Sequence, residues 1–402
     1  MHTLRNLQAV KDRFGGFIFL DLTGYDLQTA HWHLGMHVRQ QVQKILSQRF
    51  DMLDSGKCQL LIQQAKSCAQ TLHTKRVDKR LNIRLRGAVR EYLDCLEAWA
   101  DGAGLAGFDH PAMAAHRPIS AMDLAFFLQH DSTGCQTGMY RQGDGSVILW
   151  HTEEDVEFET GSGFDQLRLA AFKVGDDNDP VTMHAFIYPD LLPGPAFGWR
   201  SDGYTQAVDT LHTRIFAEQK AGVLANITTW LTLRLGPGCE PGKVIADMCP
   251  YYDGYALNAI SIRGEKVRAE KYEFAEDHIL PKVLDECSGS YLFQVNIFTQ
   301  DTPSWVKEVE FLPPADHRLY LQRIKWTKKA MQNKNHRVSE GDDMGFFFDL
   351  LTARSGTIWS YANTYVKAYF ILRQTNLGAE IWLGHGPALP TDQYLVIHIP
   401  PA

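Results

Sequence analysis

The hydrophobic period of this 402-residue chain changes once, and the change falls at Gly134-Cys135. Upstream, apolar residues recur at helical spacing. Val38, Val42, Ile45 and Leu46 follow His33-Leu34-Gly35, and Val89, Tyr92, Leu93 and Leu96 share one face of 88–99. Further helical stretches cover 60–72 and 121–128, and Asp101-Gly102-Ala103-Gly104 ends the helix before it. Downstream, short strand-like runs cover 147–150, 167–174, 181–188, 204–208, 255–262 and 291–298, then 365–372, 380–383 and 394–399. Gly143-Asp144-Gly145, Gly175-Asp176-Asp177 and Arg263-Gly264 are turn signals between them. Helices intervene near 213–234 and 316–332. A helical front and a strand-rich body predict a layered α+β fold, not a doubly wound parallel sheet. The chain divides into a helical segment, 1–134, and a body, 135–402, with no internal repeat.

Charge and cysteine usage exclude several classes. The formal charge is −7 with a pI near 6.1, which argues against a general nucleic-acid binder. No apolar run approaches the ~18 residues a membrane helix needs, and the opening residues carry no leader-like apolar stretch. Seven cysteines at irregular spacing suit reduced thiols better than a disulfide framework. A soluble cytoplasmic protein is the expectation. Residues 1–134 carry 16 Lys/Arg against 13 Asp/Glu and the remainder 24 against 34, so opposite signs favour the two parts staying docked.

Several motifs fail on inspection. Gly236-Pro237-Gly238-Cys239-Glu240-Pro241-Gly242-Lys243 resembles a phosphate loop, but Val244 stands where the hydroxyl for Mg²⁺ belongs. His31, His33 and His37 have no carboxylate or cysteine at ligand spacing, so packing or surface histidines are expected and no metal. Cys239 and Cys249 are too far apart for a zinc knuckle, and Asn226-Ile227-Thr228 is a sequon without a secretory route.

Gly134-Cys135 carries more chemistry. Glycine leaves its carbonyl open to attack, and cysteine is the side chain able to attack it. An N-to-S acyl shift followed by hydrolysis would cut the chain here and free the α-amine of Cys135. With an ordinary pKa of about 7.7–8.0, that amine suits a general base near neutrality. A hairpin through Gly143-Asp144-Gly145 returns the chain to Cys135, bringing His151-Thr152-Glu153-Glu154-Asp155 beside it.

This pattern resembles the isopenicillin N acyltransferase family of N-terminal-nucleophile (Ntn) hydrolases, which includes the insect β-alanyl-amine hydrolases and is distantly related to bile-salt hydrolases. Gly134-Cys135, then His151-Thr152-Glu153-Glu154, then Tyr188-Pro189-Asp190-Leu191-Leu192-Pro193-Gly194 follow the family's order. So do Gly198-Trp199-Arg200-Ser201-Asp202-Gly203 to Asp209-Thr210, Asn296 at the end of a strand, and Leu34-Gly35 to Arg39 in the front helix. Ala379 to Leu395 resembles the family's C-terminal strands. Departures are Glu154 in place of an aspartate (Asp155 takes it if one residue is inserted), Asp209 and Arg200 in place of asparagines, and Gln136 after the cysteine.

The resemblance implies a four-layer αββα sandwich with Cys135 starting an inner strand. It implies cleavage between Gly134 and Cys135, an acyl-Cys135 intermediate, and Glu154 or Asp155 holding the new amine. Asn296 with a backbone N–H would stabilise the oxyanion. His151, Tyr188, Asp209 and Arg318 are candidates for the substrate or oxyanion pocket. An aspartate at 209 would repel an oxyanion unless it is protonated or turned away. The expected substrate is a small acylated amine, peptide-like amide or thioester, with no cofactor, no nucleic acid and no membrane; the 1–134 fragment would stay bound as partner. Two other readings remain: a catalytically inactive binding or scaffold protein of the same fold, and an uncleaved cysteine hydrolase using His151 or His184 as base.

Overall fold

The computed structural model describes residues 17–116, 118–129, 134–156, 167–175, 179–214, 221–300, 303–310, 314–337, 344–347, 364–385 and 395–399. Strand β1 (Phe17–Asp21) leads into helices α1 (Leu27–Met52), α2 (Ser55–Lys75), α3 (Ile83–Gly102) and α4 (Ala121–Leu128). Side chains of Asp26, Asp54 and Asn82 cap the first three, accepting from the Thr29, Lys57 and Arg84 amides. Ser120 and Asp123 form a reciprocal capping box on α4. Helices α1 and α3 cross backbone to backbone. A Cβ on Gly35 would meet the Trp99 carbonyl oxygen at 2.2 Å, and one on Gly102 the Trp32 carbonyl oxygen at 2.2 Å. That close approach explains the glycine of Leu34-Gly35.

Among the described residues the strands form two sheets. The first is 8-stranded, in the order β1-β4-β5-β6-β7-β8-β9-β10. Its members after β1 are β4 (Leu167–Gly175), β5 (Pro180–Phe186), β6 (Phe197–Arg200), β7 (Tyr204–Leu211), β8 (Gly254–Arg263), β9 (Lys266–Ala275) and β10 (His278–Val283). The second is 6-stranded, in the order β11-β2-β3-β12-β13-β14. It comprises β2 (Gly134–Arg141), β3 (Val147–Val156), β11 (Tyr291–Val295), β12 (Thr364–Thr375), β13 (Gly378–His385) and β14 (Leu395–Ile399). Helices α5 (Ala225–Leu235) and α6 (Pro241–Met248) connect β7 to β8, and α7 (Val306–Val309) and α8 (Pro314–Arg337) follow β11. Among the described residues no helix is long and apolar enough to cross a membrane.

Strand alternation divides the side chains cleanly. On the large sheet, Ala170, Phe172, Val208, Leu257 and Phe274 join α1 to α6 in one apolar cluster. Their neighbours Leu169, Phe197, Trp199, Ala207 and Ile260 face the small sheet, meeting Met139, Leu149, Phe370 and Ile381. The far face of the small sheet, with Tyr140, Ile148 and Trp150, packs on Met331 of α8 and on Phe347. The α+β expectation holds.

The segment before residue 134 shares its core with the sheets. It supplies β1, which pairs in parallel with β4. Arg49 bonds Asp190 at 2.7 Å and donates to the Leu128 carbonyl at 3.0 Å, tying α1 to the end of α4. His31 is wholly buried on α1, stacked on Phe172 at 5.0 Å, with Nδ1 on the Leu27 carbonyl and no partner for Nε2 among the described residues. Burial pushes its pKa down to about 4 despite that hydrogen bond. Because the folded value lies below the unfolded one near 6.5, the stability it confers is complete above pH 6.5 and is lost as pH falls toward 4. We predict that His31→Phe flattens the acid limb of thermal stability, by about 3 kcal/mol at most on the size of that shift. The check is thermal unfolding of both proteins between pH 7 and 4.5; parallel curves would remove His31 as the cause.

Candidate active site

Cys135 is the second residue of β2, and the β2–β3 register sets its surroundings. Cys135 pairs with Glu153, Thr137 with His151 and Gly134 with Glu154. Cys135, Thr137, His151 and Glu153 therefore face the large sheet, while Glu154 and Thr152 turn to the face covered by α8. The inter-sheet layer changes character along these strands. At Val147, Leu149 and Met139 it is apolar, and two pairs further on it holds buried Thr137, His151, Glu153 and Asp209.

Glu153 gathers the donors of this layer. Its Oε2 accepts from the Cys135 thiol, Sγ lying 3.7 Å away, and from the Tyr188 hydroxyl. His151 Nε2 lies 2.6 Å from Oε1, and His151 Nδ1 lies 2.7 Å from Thr137 Oγ1. Burial by itself would lower the pKa of His151, yet the neighbouring carboxylates, Glu153 foremost and then Asp209 and Glu154, raise it on balance. Asp209 lies wholly buried, with Asn258 donating to Oδ2 at 3.0 Å. Desolvation lifts its pKa to about 7, against opposing pulls from His151 and Thr137. It therefore exchanges its proton around neutrality, well above the ordinary carboxylate range.

The backbone nitrogen of Cys135 donates to Asn296 Oδ1 at 3.1 Å, and Asn296 Nδ2 donates to the Thr210 carbonyl at 2.8 Å. Exchanging the amide atoms would set donor against donor and acceptor against acceptor, so the orientation is determined. Asn296 thus holds the backbone N–H of Cys135, whereas the resemblance assigned it to the oxyanion.

Glu154 sits on the other face, beside Gly134, where a Cβ would lie 3.4 Å from Glu154 Oε2. Arg323 of α8 bonds both its oxygens, at 3.0 and 2.9 Å, and both side chains are buried. It is Glu153, absent from the sequence-based set, that touches the sulfur. The Asp155 side chain lies outside the described residues. Arg318 is exposed on α8, five residues from the buried Arg323. A signal for Arg323 existed: it occupies the inward stripe Tyr320, Arg323, Thr327, Met331, all buried at helical spacing. His184 lies apart from this cluster, stacked on Trp199 at 4.9 Å with its pKa pushed down to about 4 by burial.

Ligand atoms of Cys135, His151 and Glu153 lie within 4.8 Å of one another, close enough for a cation. The short His151–Glu153 hydrogen bond already closes that space, and a cation would have to displace its proton. Glu276, Asp277 and His278 form a second cluster in a partly exposed turn. No protein-family model and no curated protein matches the chain.

Because the Asp209 carboxyl has a higher pKa folded than unfolded, its contribution to stability is full below pH 3.8 and is lost as pH rises through 7. Asp209→Asn should therefore gain thermal stability relative to the parent between pH 5 and 8. A constant difference across that range would show that Asp209 is ionised throughout.

Proposed function

We propose that the chain is an Ntn cysteine hydrolase or acyltransferase of the αββα type, which frees its own nucleophile by cutting between Gly134 and Cys135. The observation that carries this reading is the pairing of Cys135 with Glu153: a thiol at the start of an inner strand, 3.7 Å from a buried carboxylate. In the processing step, Glu153 takes the thiol proton and Sγ attacks the Gly134 carbonyl carbon. The C–N bond to Cys135 breaks, the proton passes to the departing nitrogen, and a thioester joins Gly134 to Sγ. Water then cleaves the thioester, leaving a Gly134 carboxylate and a Cys135 with free thiol and free amine.

The same geometry serves turnover. The amine, held by Asn296 Oδ1, takes the thiol proton as Sγ attacks the amide or thioester of a small acylated amine or peptide-like metabolite. The amine then delivers that proton to the leaving group, and the acyl-Cys135 passes to water or to an acceptor amine. His151 and Tyr188 fix the Glu153 carboxylate, whose charge stabilises the ammonium formed in between. Glu154, neutralised by Arg323 beside Gly134, faces the carbonyl side of the scissile bond.

Processing by the freshly made chain, followed on denaturing gels, tests the assignment. Cys135→Ala should abolish cleavage, and Glu153→Gln should slow it ten- to a hundred-fold, about 1.4–2.7 kcal/mol at the barrier. In both, thermal unfolding should show a folded protein. Cleavage at the same bond in Cys135→Ala would end the proposal, and parental rates in Glu153→Gln would remove Glu153 from it. After cleavage by the parent chain, 1–134 and 135–402 should elute together under native conditions, since the helices before residue 134 share the core of the large sheet.

A further inference from the structure

A cavity of about 280 Å³ opens where β10 and β11, the end strands of the two sheets among the described residues, come together under α8. Lys271, Lys282 and Lys328 line it with Thr299 and Gln300, and no carboxylate is among its described lining residues. Lys271 forms its inner wall, buried and paired with Glu273 at 3.0 Å and with Gln294 Oε1 at 3.0 Å. Lys282 and Lys328 stand exposed at its rim. Lys282 is close enough for its charge to lower the pKa of Lys271, adding to the larger effect of burial. With Glu273 offsetting Lys271, two ammonium groups that have no ion-pair partner among the described residues face one small volume.

The concentration of positive charge is local. The chain as a whole is at −7, yet α8 carries seven Lys/Arg against one Asp. On α8, Ile324 and Lys328 are one turn apart and face the cavity, whereas Lys325 and Lys329 are exposed outside its lining. Like charges held around a concave space with low-dielectric walls focus the field and favour a multivalent anion. Such an anion would receive charge-assisted hydrogen bonds from the lysines.

We propose that this cavity is a binding site for a small multivalent anion, a phosphate or polycarboxylate group. Register places its Phe293 wall near the backbone of Cys135, with Phe293 on the α8 face of the sheet and the thiol on the inner face. Phe293, in its lining, pairs with Gly138, three residues along β2 from Cys135, a separation of roughly 10 Å at the usual strand rise. The anion is either one end of the molecule whose carbonyl reaches Cys135 or a separate effector bound across the sheet from the thiol.

Isothermal titration of the full chain with inorganic pyrophosphate at constant ionic strength tests this. One equivalent should bind, and the Lys282→Gln/Lys328→Gln double variant should weaken binding at least tenfold. The Lys325→Gln/Lys329→Gln double variant, which removes equal charge from the same helix outside the cavity, should bind as the parent does. Absence of binding, or equal loss in both variants, would overturn the proposal. Alkylation of Cys135 by iodoacetamide separates the two sources: protection by bound pyrophosphate assigns the anion to the substrate's own end, and unaltered alkylation to an effector. None of these readouts requires processing, so failure of the cavity and failure of the catalytic reading remain distinguishable.

Discussion

Burial of the Glu153 carboxylate is the constraint on which the site depends. Removing a charge from water costs several kcal/mol unless partners replace the lost hydration. The chain provides a phenol, an imidazole and a thiol, each from a fixed strand or turn position: Tyr188, His151 and Cys135. A carboxylate so constrained cannot move without orphaning three donors. The thiol is thereby held at one end of the inter-sheet layer, opposite a fixed proton acceptor. The same burial lifts the pKa of the neighbouring Asp209 to about 7.

Adjacent glutamates are given different environments by pleat alone. Glu153 and Glu154 differ by one position, so one enters the layer between the sheets and the other the layer beneath α8. Glu154 is neutralised by a guanidinium, whereas Glu153 sits among groups that can exchange protons. The same alternation places Asn258, Lys271 and Glu273 of the large sheet toward the inner layer. Polar chemistry thus occupies the inner faces of both sheets near Cys135, and their apolar residues fill the rest.

Much of this was legible in the sequence, for identifiable reasons. The change of period at Gly134 marked the start of β2, and the Gly143-Asp144-Gly145 turn fixed the hairpin that brings β3 back. What stayed hidden was a matter of burial. Lys266–Ala275 contains Arg268, Glu270, Lys271 and Glu273, and those charges mask a strand whose residues from Ala269 onward are all buried. Alignment to the family sets Glu154 against Asp155; that Glu153 touches the sulfur depends on strand register, which an apolar pattern specifies poorly where the inner face is itself polar. Arg318 and Arg323 both sit on a basic helix, and only packing shows which of them turns inward.

The central claim is that the thiol of Cys135 severs the bond before it. The intact mass of the chain, purified without proteases and measured under denaturing conditions, addresses that directly. The account predicts two species whose masses correspond to 1–134 and 135–402, the second beginning with an unmodified cysteine. A single species with the mass of all 402 residues, from folded protein held at neutral pH, would contradict it.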